Sequence, residues 1–114
     1  MEIYVKDRRL RAALEDEATC KRHYGMDMAR KIRLRVQALR SAESLGDFWP
    51  PESGPERCHE LKSDLAGTFS MDLKQPYRLL FIPIEKPKPS SSSDLERWKA
   101  MTSIEILRIE DTHA

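Results

Sequence analysis

Apolar positions recur along this chain with two periods, and the changeover between them divides it. Glu2 to Lys6 alternates, with Ile3 and Val5 on one face, which predicts a short first strand. Asp7 follows as a helix cap. Leu10, Ala13, Leu14 and Ala18 then keep helical spacing, predicting one helix that runs to Tyr24 with Gly25 as its stop. The acids Glu15 to Glu17 fall largely off that stripe. A second helix is predicted from Met26 or Asp27 to Ala42, because Ala29, Ile32, Val36 and Leu39 recur at three- and four-residue intervals as a core-facing seam. Arg30, Lys31, Arg33, Arg35 and Arg40 occupy much of the remaining circumference.

The helical period ends at Ser44 to Gly54, where two prolines and two glycines mark a loop. Leu45, Phe48 and Trp49 are expected to fold back onto the core; for Trp49, packing is favoured over stacking on a base. A strand period then takes over. Arg57 to Leu61 reads as a short strand and Ala66-Gly67 as a turn. Thr68 to Leu73 alternates with Phe69, Met71 and Leu73 on one face. After a turn at Gln75-Pro76, Tyr77 to Ile84 is apolar on both faces except at Arg78, the pattern of a central strand. Full pairing is expected to end just before Pro83, which has no N–H to donate. Lys86 to Asp94 is Pro/Ser-rich and reads as a mobile connection. Leu95 to Met101 reads as a helical turn anchored by Trp98, and Ser103 to Ile109 as a last strand pairing with the central one. The predicted fold is α+β, one domain over residues 1–114: an N-terminal strand, then a two-helix hairpin packed on a mainly antiparallel sheet of four or five strands.

Composition narrows the class. The 114 residues are 39% hydrophobic and 34% charged, enough for one modest core under a charged surface. The net charge of +1 conceals an asymmetry, since residues 1–40 hold eleven Lys/Arg against six Asp/Glu and the remainder nine against thirteen. Such a basic half is either a nucleic-acid footprint or, more ordinarily, a solvated helix face. The N-terminus has charge where a secretory h-region would be apolar, and no apolar run approaches the length of a membrane span. A cytoplasmic protein without a membrane partner is expected. Cys20 lies three residues before His23, and Cys58 beside His59, so a zinc site can be drawn. The paired spacing of structural zinc motifs is absent, however, and both cysteines read as small, partly buried apolar residues. There is no Gly-rich phosphate loop, nucleophile elbow or H-E-x-x-H.

Chemistry concentrates in Arg57 to Glu85 and at the C-terminus. A basic side chain in the most apolar strand, Arg78, is either a buried ion pair or an anion ligand. The blocks His59, Leu61, Lys62 and Asp64, then Gly67 and Ser70, then Tyr77, Arg78 and Phe81, then Asp111 and His113, resemble the HigB-type (plasmid maintenance killer) branch of the RelE/ParE toxin superfamily. The resemblance covers the whole chain with three departures. Thr112 stands where the family has Tyr, Ser63 replaces the usual Gly after Lys62, and the connection from Lys86 to Thr102 is longer than in the smallest members.

The resemblance implies the toxin of a type II toxin–antitoxin pair, a ribosome-dependent endoribonuclease cutting mRNA in the A site without metal or other cofactor. It also implies a helix-turn-helix antitoxin of HigA type, through which operator DNA is reached only indirectly. In the implied reaction the 2′-hydroxyl attacks the adjacent phosphate and the 5′-oxygen leaves. That reaction requires an acid, a base and cations on the phosphate. His59 and His113 are the acid/base candidates, with their two roles left open. Asp111 would orient a His, and Lys62 and Arg78 would hold the phosphate. His23 reads as structural. Two alternatives stand beside this: a non-catalytic inhibitor on the same fold, of the kind that binds a topoisomerase, and a decayed toxin retained for antitoxin binding.

Overall fold

The computed structural model describes residues 1–85 and 93–111. Most of the segment predicted to be mobile, and Thr112 and His113, lie outside the described residues.

Five strands, β1 (Glu2–Val5), β2 (His59–Glu60), β3 (Phe69–Asp72), β4 (Tyr77–Pro83) and β5 (Ser103–Asp111), form one sheet in the order β1-β5-β4-β3-β2. The last four make an antiparallel meander. β1 joins it in parallel with β5, Ile3 opposite Ile104 and Val5 opposite Ile106. The predicted α+β architecture, with its central Tyr77 strand, is thus found. Full pairing of β4 does end before Pro83: its β3 partnership stops at Phe81, while that with β5 continues to Pro83 opposite Ile104. β4 is an edge strand there, which is where proline is tolerated.

The predicted first helix is two. α1 (Arg8–Glu15) is capped by Asp7, whose carboxylate accepts from the Leu10 amide at 2.9 Å. Asp16 then takes extended dihedrals (φ −124°, ψ 116°) and caps α2 (Glu17–Tyr24) by accepting from the Thr19 amide and hydroxyl. An Asp three residues before Thr competes locally with helix continuation, and here the cap prevails. Gly25, at φ 82°, separates α2 from α3 (Met26–Ser41) in the manner expected of a helix-stop glycine.

The seam of α3 faces one side of the sheet. Met28, Ala29, Ile32, Val36 and Leu39 are buried with Phe69, Met71, Leu79, Phe81, Ile104 and Ile106, and the rings of Phe69 and Phe81 stack at 5.8 Å. Fully burying each large apolar side chain contributes about 1.5–3 kcal/mol. Helix α4 (Asp94–Lys99) seats Trp98 on the same core, edge-on to Phe69 at 5.3 Å. Cys20 and Cys58 are buried as predicted; burial pushes the Cys58 thiol up to about 12. Among the described residues no helix is long and apolar enough to cross a membrane, and no cluster of three His, Cys, Asp or Glu is placed to hold a metal.

Arg35 is not on the solvated circumference of α3 but is only 6% exposed. It falls three residues after Ile32 and four before Leu39, on the seam itself. Its Nε donates to the Asp72 carbonyl at 2.7 Å and its Nη2 to the Pro55 carbonyl at 3.1 Å. This buried cation fastens the helix layer to the end of β3 and to the loop before β2.

Two outcomes follow. Arg35→Met should cost about 2–4 kcal/mol in urea unfolding, since two charge-assisted hydrogen bonds are lost and the Asp72 carbonyl is left buried without its donor; a loss below about 1 kcal/mol would show that this carbonyl finds another partner. Acid should loosen α2. Bonds from Thr19 hold the Asp16 carboxyl below its ordinary value of 3.8, and Lys21 and then Arg33 hold Glu17 below 4.5. Lowered values mean that the stabilisation is fully present above those ordinary values and is lost as pH falls through the folded ones. An Asp16→Asn/Glu17→Gln variant should therefore show a smaller drop in urea midpoint than the parent between neutral pH and about pH 3. Equal drops would place the acid sensitivity elsewhere.

Candidate functional site

The loop between α3 and β2 is folded tightly on itself and on β3. Glu52 donates its amide to the Cys58 carbonyl at 3.0 Å, and the Asp72 amide donates to the Glu56 carbonyl at 2.8 Å. Arg57 adopts φ 48°, so the predicted Arg57–Leu61 strand shrinks to His59–Glu60. With Arg57 so turned, its carbonyl lies 2.8 Å from His59 Nδ1. A carbonyl can only accept, so Nδ1 carries hydrogen and Nε2 is the nitrogen left to exchange a proton. Nε2 lies 3.8 Å from Glu52 Oε1.

From there a run of alternating charges crosses the sheet face opposite the helices. Glu52 Oε2 is 3.7 Å from Arg57 Nη2, Arg57 Nε is 3.3 Å from Asp72 Oδ2, and Asp72 Oδ1 is 3.6 Å from Arg78 Nε. Register explains the grouping: His59 lies opposite Ser70, and Asp72 opposite Arg78, so all four share the face that Phe69, Met71 and Leu79 do not. Arg78, for which a buried ion pair and an anion site were both open, is therefore ion-paired. At 3.6 Å its contact with Asp72 is too long for a hydrogen bond, and its donors are not committed to that carboxylate.

The remaining predicted residues separate. Lys62 lies beyond β2, on a cleft of about 340 Å³ that His59 also lines. It leads into a tight turn, Ser63–Leu65, in which Ser63 holds φ 58°. That left-handed conformation accounts for a glycine preference at this position. Asp111 is not brought to Arg78. It lies opposite Tyr77, and Arg78 lies opposite Glu110, so alternation directs Asp111 to the other face of the sheet. His113 lies outside the described residues.

Glu52, Arg57, Asp72 and Glu110 were missed. Arg57 looked like an ordinary strand residue, and no local pattern marks a left-handed Arg. Asp72 is the acid of a four-residue strand on the face away from Phe69 and Met71, yet it is only 7% exposed, and a carboxylate so buried requires a cation. The non-glycine residues with positive φ among those described are Glu52, Arg57 and Ser63. All three flank His59 and Lys62. Each such residue costs of order 1–3 kcal/mol, and strain of this kind gathers at functional sites.

No family model matches the sequence, and no curated protein does. Among solved structures, a YoeB/ParE toxin from Agrobacterium tumefaciens superposes with a TM-score of 0.57 at 14% identity, over 99% of this chain and 100% of that one. The α+β chain with its helices on one face of a five-stranded sheet thus has the fold of that toxin.

Proposed function

We propose that the protein is the toxin of a type II toxin–antitoxin pair and that it cleaves mRNA on the ribosome. The observation that carries this reading is the run His59–Glu52–Arg57–Asp72–Arg78, which sets one proton-exchanging imidazole and two guanidiniums on a single sheet face. The fold shared with a YoeB/ParE toxin supports it.

Cleavage by an internal 2′-hydroxyl needs few parts. A base takes the 2′-hydroxyl proton as that oxygen bonds to phosphorus, the phosphorus–5′-oxygen bond breaks, and an acid protonates the departing oxygen. The products are a 2′,3′-cyclic phosphate and a 5′-hydroxyl end. His59 Nε2 serves as one proton-transfer group and His113 as the other. Arg78 and Arg57, exchanging part of their contact with Asp72 for the phosphate oxygens, stabilise the added charge, with Lys62 on the flanking phosphate. The HigB-type branch, a HigA-like helix-turn-helix antitoxin that covers this face, operator binding through that antitoxin, action in the cytoplasm and independence of metals belong to the same proposal.

One observation favours a second reading, a non-catalytic inhibitor on this fold. Asp111 is out of phase with Arg78, so the acid meant to assist a histidine is not beside the cations.

Expression without the antitoxin should arrest growth and yield mRNA cut within codons on translating ribosomes. His59→Ala should lower the cleavage rate ~10²–10⁴-fold, and Arg57→Ala and Arg78→Ala ~10²–10³-fold each, in proteins shown by circular dichroism to be folded. Folded His59→Ala, His113→Ala and Arg78→Ala proteins that arrest growth as strongly as the parent would overturn the assignment. Arrest with intact mRNA and damaged DNA would establish the inhibitor instead.

A further inference from the structure

The cleft shared by His59 and Lys62 is built mostly from parts outside the sheet. Its walls are Trp49 and Glu52 from the loop after α3, and Asp94, Arg97 and Trp98 from α4. The two indoles meet edge to face, centroids 5.1 Å apart and planes at 90°. Trp98 is anchored on Phe69, and Trp49 packs on the core while remaining partly exposed. Expected as packing, Trp49 thus serves both purposes: one side fills the core and the other borders the cleft.

The charges around the cleft are held in place. Arg97 reaches Asp94 at 3.1 Å and Glu60 at 3.4 Å, and Glu52 is held by Arg57. For Lys62, no ion pair exists among the described residues. The lining therefore offers an aromatic wall, fixed donors and acceptors, and an uncommitted ammonium beside the imidazole. Its volume of about 340 Å³ is at the low end of small-ligand pockets (~300–1,000 Å³), a size for one planar heterocycle and not for a peptide.

We infer that this cleft is a nucleobase subsite, taking one unstacked base of a single-stranded RNA whose adjoining phosphate lies at Lys62 and His59. The exposed part of the Trp49 indole, backed by the buried Trp98, can stack on any base, and the carboxylates and Arg97 supply hydrogen-bond partners for its edge. The inference rests on the proposed ribonuclease reading for its substrate, but binding in the cleft is separable from cleavage.

The test exploits composition: the chain has two tryptophans and both line this cleft, so intrinsic fluorescence reports on it alone. Titration of the intact protein with nucleoside 3′-monophosphates should quench the emission saturably, and inorganic phosphate at the same concentrations should not. Trp49→Leu, read through Trp98, should weaken nucleotide binding by about tenfold, whereas Trp49→Phe should keep most of it. Lys62→Gln should weaken nucleotide binding while leaving the unliganded spectrum unchanged. If Trp49→Leu fails to fold, Lys62→Gln and the phosphate control still decide. Absence of quenching, or equal quenching by phosphate, would overturn the subsite even if RNA is cleaved. Selective quenching by nucleotides in a protein that cuts no RNA would keep the subsite and remove the nuclease.

Discussion

Every layer of this molecule is tied to Asp72. Its amide donates to the loop at Glu56, its carbonyl accepts from Arg35 of α3, and its carboxylate meets Arg57, Arg78 and the Gln75 amide. One residue at the end of a four-residue strand thereby joins the helices, the turn into β4, the loop before β2 and the open face of the sheet. A carboxylate so buried persists only where cations compensate its lost hydration, and three guanidiniums converge on this residue. Removing the acid would take away the carboxylate that Arg57 and Arg78 share and leave Arg57 with Glu52.

The same arrangement sets the electrostatics of the face. On the open face Arg57 and Arg78 alternate with Glu52 and Asp72, so the run is balanced in charge, as the whole chain nearly is. The exposed arginine contacts run from 3.3 to 3.7 Å, long for hydrogen bonds. Contacts of that length leave guanidinium donors unsaturated, and Asp72 is the anion that both side chains share. Preorganisation of this kind matters more to a charge-stabilising site than added charge, because the donors need not be reoriented when charge develops.

How much of this was legible follows from which interactions are local. Strand alternation in residues 68–84, the α3 seam, the Gly25 stop and the Trp98 anchor are consequences of burial period, and they appear in the structure where the pattern put them. The break at Asp16 was not read, because its cap competes with a helical stripe that continues through it. Arg35 was read as solvated although its spacing from Ile32 and Leu39 is that of the seam; polarity was allowed to outweigh position. For the candidate site, alternation fixed which residues share a face. His59 and Arg78 do share a face, but Asp111 is out of step by one residue, and a shift of one reverses the face of a strand side chain. The fold is shared with a solved structure at 14% identity for the same reason: period and volume specify it, and they constrain individual residues weakly.

The strained loop is where these threads meet. A left-handed Arg57 costs free energy, and its carbonyl could have been satisfied in an ordinary strand. The conformation instead aims that carbonyl at His59 Nδ1, while the side chain of the same residue spans Glu52 and Asp72. One residue thus fixes which imidazole nitrogen can exchange a proton and, by its side chain, reaches the carboxylate that Arg78 also meets. Simple packing needs neither property. A site that must present a histidine and a guanidinium to adjacent oxygens of one phosphate needs both, and this is the physical case for reading the loop before β2, rather than the sheet it borders, as the part of the molecule shaped by function.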